Sequence, residues 1–188
     1  MTFLSVICGA WPVLGLPLRP PEPGQGPLDY LTAEEVEQVR DAQPIDWRVK
    51  VFMKIAERRL MAAEDPQAPQ IKKDEADWGA LPTLARADLL RQYSRAIEEM
   101  ITNFEEAYDR NPKDERLLKA LTTFTEQTAK HLQRLEALRS NIADEATRQV
   151  LEQVLDDLKL AYEDARQSEE QFKVEQEQRK KEKEKKKN

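Results

Sequence analysis

The sequence predicts an all-α fold, in which a short helical hairpin (residues 32–64) packs on a long, antiparallel, coiled-coil-like three-helix bundle (residues 83–175). Apolar residues recur at steps of three and four along long segments, as they do on one face of a helix. Glycine is rare, with five residues among 188, and no alternating pattern of β-branched residues occurs. Charged residues make up 35% of the chain, but the periodic apolar residues argue against general disorder.

The first 18 residues form an apolar segment. Residues 3–18, FLSVICGAWPVLGLPL, contain no charge and are interrupted by Pro and Gly, so they are too short and too broken for a comfortable membrane span. They are typical of the apolar region of a secretory signal, with Cys8-Gly9-Ala10 as a small-residue cleavage site. No Lys or Arg precedes Arg19, so an uncleaved apolar arm or an upstream start is the alternative. Residues 19–27, RPPEPGQGP, form a Pro/Gly linker.

The hairpin follows the linker and opens the helical domain predicted at residues 28–175. Thr32 and Glu35 have the spacing of a capping box, with Leu31 in the position of a hydrophobic staple. The first helix ends before Pro44. The second helix is predicted from Trp47, capped by Asp46, to about Glu64.

Three long helices make up the rest of the domain. The first is predicted over Thr83–Arg110, with Thr83 as its N-cap. The second starts at Asn111, which is followed by Pro112 at the first helical position, and the third starts at Asn141. Each would be about 28 residues, or about 42 Å, long. Short breaks favour antiparallel neighbours that cross at about 20°. The apolar seams include Leu90, Tyr93, Ile97, Met100, Ile101, Phe104 and Tyr108, then Leu117, Leu121, Phe124, Thr128, Leu132, Leu135 and Leu138, then Val150, Val154, Leu158, Ala161, Ala165 and Phe172.

Two segments are predicted to lie outside regular structure. The loop at residues 65–82 is long enough to be functional or disordered. Trp78 and Leu81 either pack back onto the first long helix or belong to an exposed recognition loop. Residues 176–188 form a Lys/Glu-rich tail, and such charge runs are usually disordered and solvated.

The residue inventory gives no candidate for catalysis, for cofactor binding or for metal binding. His131 is the sole histidine and is expected at a boundary or on the surface of its helix. Position 128 is Thr, so the Glu-x-x-His motif of di-metal bundles is missing. Cys8 is the sole cysteine, which excludes paired Cys/His chemistry. We therefore expect no enzyme, no cofactor and no small-molecule substrate.

Charge is distributed unevenly along the chain. Residues 179–188 hold seven Lys or Arg against two Glu, a net +5, so residues 1–178 carry −11 of the total −6. An acidic body disfavours specific nucleic-acid binding. Lys50, Lys54 and Arg58 form a basic stripe, which either docks within the molecule or meets an anionic partner. The acidic row available to it on the first long helix consists of Glu98, Glu105 and Asp109.

Residues 29–60, DYLTAEEVEQVRDAQPIDWRVKVFMKIAERRL, resemble the opening of a set of uncharacterised bacterial exported helical proteins. The shared features are a short acidic helix, an Ala-Gln turn and a helix that ends in Arg59-Leu60. The resemblance implies an all-α fold and export to the periplasm or cell envelope. It implies no activity and no site residues.

The sequence thus predicts an exported, non-enzymatic helical protein that acts as an interaction or structural module. An unknown protein partner or self-association would use Trp78 and its loop, the basic stripe, or any part of the long seams that stays exposed. The alternative is an anionic-surface binder, in which Lys180 and Lys181 of the tail make weak contacts with membrane lipid or nucleic acid. If the N-terminal segment is not a signal, the location is cytoplasmic.

Overall fold

The computed structural model describes residues 29–65 and 77–185, and every regular element in these ranges is helical. The all-α prediction is therefore confirmed. The predicted segments at residues 1–18 and 19–27, and residues 66–76 of the loop, lie outside the described residues. The five helices are α1 (Ala33–Asp41), α2 (Ile45–Glu64), α3 (Arg86–Arg110), α4 (Glu115–Leu138) and α5 (Glu145–Lys185), with a 3₁₀ turn at Arg139–Asn141.

Helix α2 is a full member of the bundle. It packs against both α3 and α4, and α5 packs against α4 and α3, whereas α3 and α4 barely touch although they are consecutive. The prediction of a hairpin laid on a three-helix bundle is not confirmed in that form. The physical reason is that α2 is apolar on more than one side: twelve of its twenty residues are buried, which one contact face cannot achieve.

The helix directions follow from contacts at one end of the bundle. Arg86, the first residue of α3, donates hydrogen bonds to the carbonyl of Ala63 near the end of α2 and to the carbonyl of Asn141 between α4 and α5. The end of α2 thus meets the start of α3 and the turn from α4 to α5. It follows that α2 is antiparallel to α3, and α4 to α5.

The capping box of α1 is confirmed. The Glu35 amide donates to Thr32 Oγ1 at 3.2 Å, and the Thr32 amide donates to Glu35 Oε2 at 3.1 Å. The cap predicted for α2 at Asp46 is wrong, because Pro44 occupies the N-cap and Asp46 lies in the first turn.

The caps predicted for the long helices are also wrong, by two residues for α3 and by three for α4 and α5. Helix α3 starts after Ala85, without a side-chain cap, rather than after Thr83. Asn111 starts a turn, and Asp114 caps α4 by accepting from the Arg116 amide. For α5, Asp144 accepts from the Thr147 amide at 2.8 Å, whereas Asn141 ends the 3₁₀ turn. In α4 and α5 a turn therefore intervenes before the helix, and the acid nearest to the helix becomes the cap.

Helix α5 continues to Lys185 and includes residues 176–185, where the sequence predicts a disordered tail. Ion pairs at i,i+4 support this extension: Lys173 with Glu169 at 2.7 Å, and Arg179 with Glu175 at 3.0 Å. No Gly or Pro follows Asn141 to interrupt the helix. Phe172, which stacks edge-on against Tyr108 of α3, is the last buried residue among the described side chains of α5. The part beyond it is a polar extension of about 20 Å.

Candidate functional site

A buried ionic cluster, consisting of Glu35, Arg58 and Arg59, joins α1 to α2. Glu35 Oε1 accepts from Arg58 Nε at 3.1 Å and from Arg59 Nη1 at 2.7 Å, and its Oε2 accepts from Arg59 Nη2 at 2.6 Å. The three residues are at most 1% exposed. Burial opposes ionisation of Glu35, but the hydrogen bonds and charges of the two arginines, with the Thr32 amide, outweigh it and lower its pKa.

The ionic cluster also anchors two stretches of backbone. Arg58 Nη2 donates to the carbonyls of Trp78, Gly79 and Ala80 at 2.9, 3.2 and 2.7 Å. Arg59 Nη2 donates to the Tyr30 carbonyl at 3.0 Å, and its Nε donates to the Gln92 side chain of α3 at 2.7 Å. Gly79 has a φ of 66°, a conformation that glycine adopts without strain. The cluster therefore holds residues 78–80 against α2.

These contacts show where several of the predicted interaction residues lie. Arg58 is buried and pairs with Glu35 of the same chain, so this member of the predicted stripe docks within the molecule. Lys50 is exposed and Lys54 is half-buried. Trp78 packs against the hydrophobic core, as one of its two alternatives predicts, with the Arg58 guanidinium 6.0 Å from its ring centroid.

The remaining predicted site residues lie on the extension of α5, in its last two turns. Lys181 is exposed, and the Lys180 side chain lies outside the described part of the chain. The structure does not bring these lysines close to the other predicted site residues.

A second polar array crosses α2, α3 and α4 and centres on His131. Tyr93 Oη lies 3.1 Å from His131 Nδ1, and Glu57 Oε2 lies 2.9 Å from His131 Nε2. A neutral ring protonated at Nε2 satisfies both contacts, because it donates to the carboxylate and accepts from the phenol. Arg134 bridges Glu57 and Glu64. We call these five residues the polar layer.

The prediction that His131 lies at a boundary or on the surface is wrong, since its exposed fraction is 3%. The signal was its spacing: position 131 lies three residues after Thr128 and four before Leu135, both of which are buried. Its partners on α2 and α3, however, lie 74 and 38 positions away in the sequence, and no local pattern indicates them.

The polar layer has the electrostatics of an internal structural array. Burial opposes ionisation of Glu57, but hydrogen bonds from His131 and Arg134 outweigh it and lower its pKa to about 2. Burial, with the charge of Glu57, raises the pKa of Tyr93, whose exposed fraction is 1%. Glu57 therefore stays ionised and Tyr93 stays neutral across the physiological range, and the contacts of the layer join α2, α3 and α4.

A groove between α3 and α5, with α4 as its floor, forms an apolar recess on the bundle. Its lining consists of Met100, Ile101, Phe104 and Glu105 of α3, Ala120, Leu121 and Phe124 of α4, and Ala161, Asp164, Ala165 and Ser168 of α5. Most of these residues belong to the predicted seams. The residues at the bottom of the recess are buried, and Ile101 and Ala161 on its two walls are partly exposed.

The mouth of this α3–α5 groove is acidic. Glu105 and Asp164 line it, and burial, followed by the charge of Asp109, raises the pKa of Glu105. About two turns towards the start of α3, burial and the charge of Asp157 raise the pKa of Glu98. Glu98 and Glu105 of the acidic row on α3 thus lie near α5. We call Glu98, Glu105, Asp109, Asp157 and Asp164 the acidic rim.

Within residues 29–65 and 77–185, no cluster of three or more His, Cys, Asp or Glu side chains has the arrangement of a metal site. No helix there combines the length and the apolar character that a membrane crossing requires.

Comparisons with protein-family models, curated proteins and solved structures give no match to this chain. The resemblance of residues 29–60 to bacterial exported helical proteins therefore stays a prediction. Function has to be argued from the geometry.

The ionic cluster makes a prediction about stability. In Glu35→Gln the two buried guanidinium groups lose their only carboxylate partner, so we expect the free energy of unfolding to fall by about 3–5 kcal/mol, the usual cost of breaking a buried ion pair. Urea unfolding at neutral pH measures this. The matched control is Glu37→Gln on the same helix, which removes an exposed pair with Arg40 and should have little effect. Equal effects of the two substitutions would show that the cluster does not hold the fold.

The polar layer makes a prediction about acid unfolding. The pKa of Glu57 is about 2 in the folded chain, against an ordinary value of 4.5. The stability that it contributes is complete above pH 4.5 and is lost as the pH falls from there towards 2. Urea unfolding between pH 4.5 and 2 should therefore show the free energy of unfolding of the wild type falling towards that of Glu57→Gln. For Glu126→Gln, at an exposed position of α4, the difference from the wild type should instead stay constant with pH. A constant difference for Glu57→Gln as well would contradict the assignment.

Proposed function

We propose that this chain is a non-enzymatic helical interaction module and that the α3–α5 groove is its binding surface. The observation that carries the proposal is the apolar recess between α3 and α5, on whose walls Ile101 and Ala161 of the long seams stay partly exposed. The groove exposes part of a continuous apolar core, and apolar recesses of this kind mark binding sites for partners.

The rest of the fold supports this assignment by leaving the groove as the open surface. Trp78 packs against the core and residues 78–80 are held by Arg58, so the segment near the end of the predicted recognition loop is not free to reach a partner. The polar layer joins α2, α3 and α4 on the side away from α5. These two polar arrays give the groove rigid walls, which reduces the ordering cost of binding.

Export is part of the proposal. The apolar segment at residues 3–18 and the resemblance of residues 29–60 to exported helical proteins both favour an extracytoplasmic location, in the periplasm or cell envelope of a bacterium. Cys8 would leave with a cleaved signal, and the mature chain would then have no thiol, which suits an oxidising compartment. The partner of the groove would be sought in the same compartment.

The alternative function is binding to an anionic surface through the basic end of α5. The helix continues through residues 179–185, with Lys181 and Lys185 exposed, and each lysine near an anionic membrane contributes about 1 kcal/mol. Glu182 and Glu184 interrupt the positive charge. Deletion of residues 179–188 separates the two functions: it should abolish sedimentation with phosphatidylserine vesicles if the tail binds, and unchanged sedimentation would exclude the tail.

The groove proposal predicts binding of a neutral apolar dye. Nile red should fluoresce on binding to the folded chain at one site, because the groove offers apolar walls without requiring charge. Ala161→Leu adds three carbons at the groove wall and should weaken binding about tenfold or more, equivalent to about 1.4 kcal/mol. The matched control is Ala137→Leu, at an exposed position of α4, which should bind as the wild type does.

Circular dichroism of both leucine variants should show the same helix content and melting temperature as the wild type. If Nile red does not bind the wild type, or if Ala161→Leu and Ala137→Leu bind it equally, the groove is not a binding surface.

A further inference from the structure

We infer that the partner of the α3–α5 groove is a basic amphipathic helix of another protein. It would insert a large aliphatic side chain between α3 and α5 and would set Lys or Arg side chains against the acidic rim. The inference rests on the proposed function and adds the chemistry of the partner.

The dimensions of the groove suit a helix. Its walls run from Met100 to Glu105 on α3 and from Ala161 to Ser168 on α5, which corresponds to about 8–11 Å along the helix axes. A partner helix presents side chains at i, i+3, i+4 and i+7 along one face, over the same two turns. One leucine-sized side chain would therefore enter the recess above Leu121 and Phe124, and the rest of that helix would lie along α3 and α5.

The negative charges at the mouth of the groove favour a cationic partner. Glu105 of α3 and Asp164 of α5 both line the groove. The charge of Asp109 acts on Glu105, and the charges of Asp157 and, in the opposite direction, Arg95 act on Glu98, so like charges lie close together at the groove and beside it. A cation placed between them would remove this repulsion, and apolar contacts in the groove would desolvate the pairs and strengthen them.

The basic residues of α5 near the groove are engaged elsewhere. Lys159 pairs with Glu136 of α4 at 2.8 Å, and Arg166 extends over the ring of Tyr162, 5.9 Å from its centroid. Asp157 accepts hydrogen bonds from the Gln153 amide, which leaves its negative charge uncompensated. The acidic rim therefore presents net negative charge to whatever enters the groove.

The same charges disfavour other occupants. Anionic lipid and nucleic acid would be repelled at the mouth. A second copy of this chain would bring its own acidic body, since residues 1–178 carry a net charge of −11 against +5 in residues 179–188. The basic end of α5 could approach the rim, but Val174 is the only exposed large apolar residue near it, which is too little to fill the groove.

The test uses a synthetic peptide of about 16 residues, capped at both ends, with leucines on one helical face and lysines on the other. Two control peptides have glutamate in place of lysine, or the same lysines and leucines in an order that forms no apolar face. Isothermal titration calorimetry with the full chain at near-physiological salt should give binding at least about tenfold tighter for the amphipathic lysine peptide than for either control.

Variants of the chain place the peptide in the groove. Asp164→Lys should weaken binding about tenfold, whereas Glu163→Lys, the same change of charge at the neighbouring exposed position, should change it less than about twofold, as expected for a screened surface charge. Asp164→Asn removes the charge without adding bulk, and it repeats the test if Asp164→Lys does not fold. Ala161→Leu should abolish binding of the lysine peptide.

Three results would overturn the inference. If Nile red binds in the groove but the lysine and glutamate peptides bind equally, the groove is still a binding surface, and the inference of a basic partner is wrong. If Glu163→Lys weakens binding as much as Asp164→Lys, the peptide responds only to the net charge of the body. If the chain sediments as a dimer that Ala161→Leu converts to a monomer, a second copy occupies the groove.

Discussion

The burial of one carboxylate, Glu35, beside two arginines is the interaction on which the rest of this structure depends. Removing three charged groups from water is costly, and their mutual attraction offsets that cost only with good geometry and further hydrogen bonds. Here both are present, because each guanidinium reaches the carboxylate and also backbone carbonyls or Gln92. The cluster thus determines where α1 and residues 78–80 lie on α2.

The position of α2 determines in turn where the bundle is closed and where it is open. With α1 and residues 78–80 attached on one side, α2 fills the space between α3 and α4, and the polar layer joins it to both helices. No described element fills the corresponding space between α3 and α5. The alanines on α4 and α5 and the facing carboxylates leave that space open. The groove is thus a consequence of which pair of helices α2 covers.

Much of the helical organisation could be predicted from the sequence, because it depends on local spacing. Steps of three and four predict the seam positions Met100, Phe104, Leu121 and Phe124. The three-residue spacing of Thr32 and Glu35 predicts the capping box. The caps of the long helices could not be located to the residue, since the turns before them contain several candidate acceptors. The extension of α5 was missed because composition alone favoured disorder, whereas i,i+4 pairs support a helix.

The features that depend on tertiary contacts could not be predicted. Arg58 belongs by spacing with Lys50 and Lys54 on a solvated stripe, and its burial is decided by Glu35, 23 positions away. His131 likewise looks like a boundary residue until Tyr93 and Glu57 are brought to its two ring nitrogens. Most of the groove residues that the seams predict as core are buried, and the partial exposure of Ile101 and Ala161 follows only from the relative positions of α3 and α5.

The central claim is that Ile101 and Ala161, on the two walls of the α3–α5 groove, are open to solvent although they pack against the buried core. Methyl NMR with a soluble paramagnetic gadolinium chelate measures this directly. We expect the methyl groups of Ile101 and Ala161, in the groove, to relax much faster with added chelate than those of Ile55 and Ala96, which are fully buried. Equal protection of all four methyl groups would show that the seams are closed, and the groove would then be neither a binding surface nor a site for a basic helix.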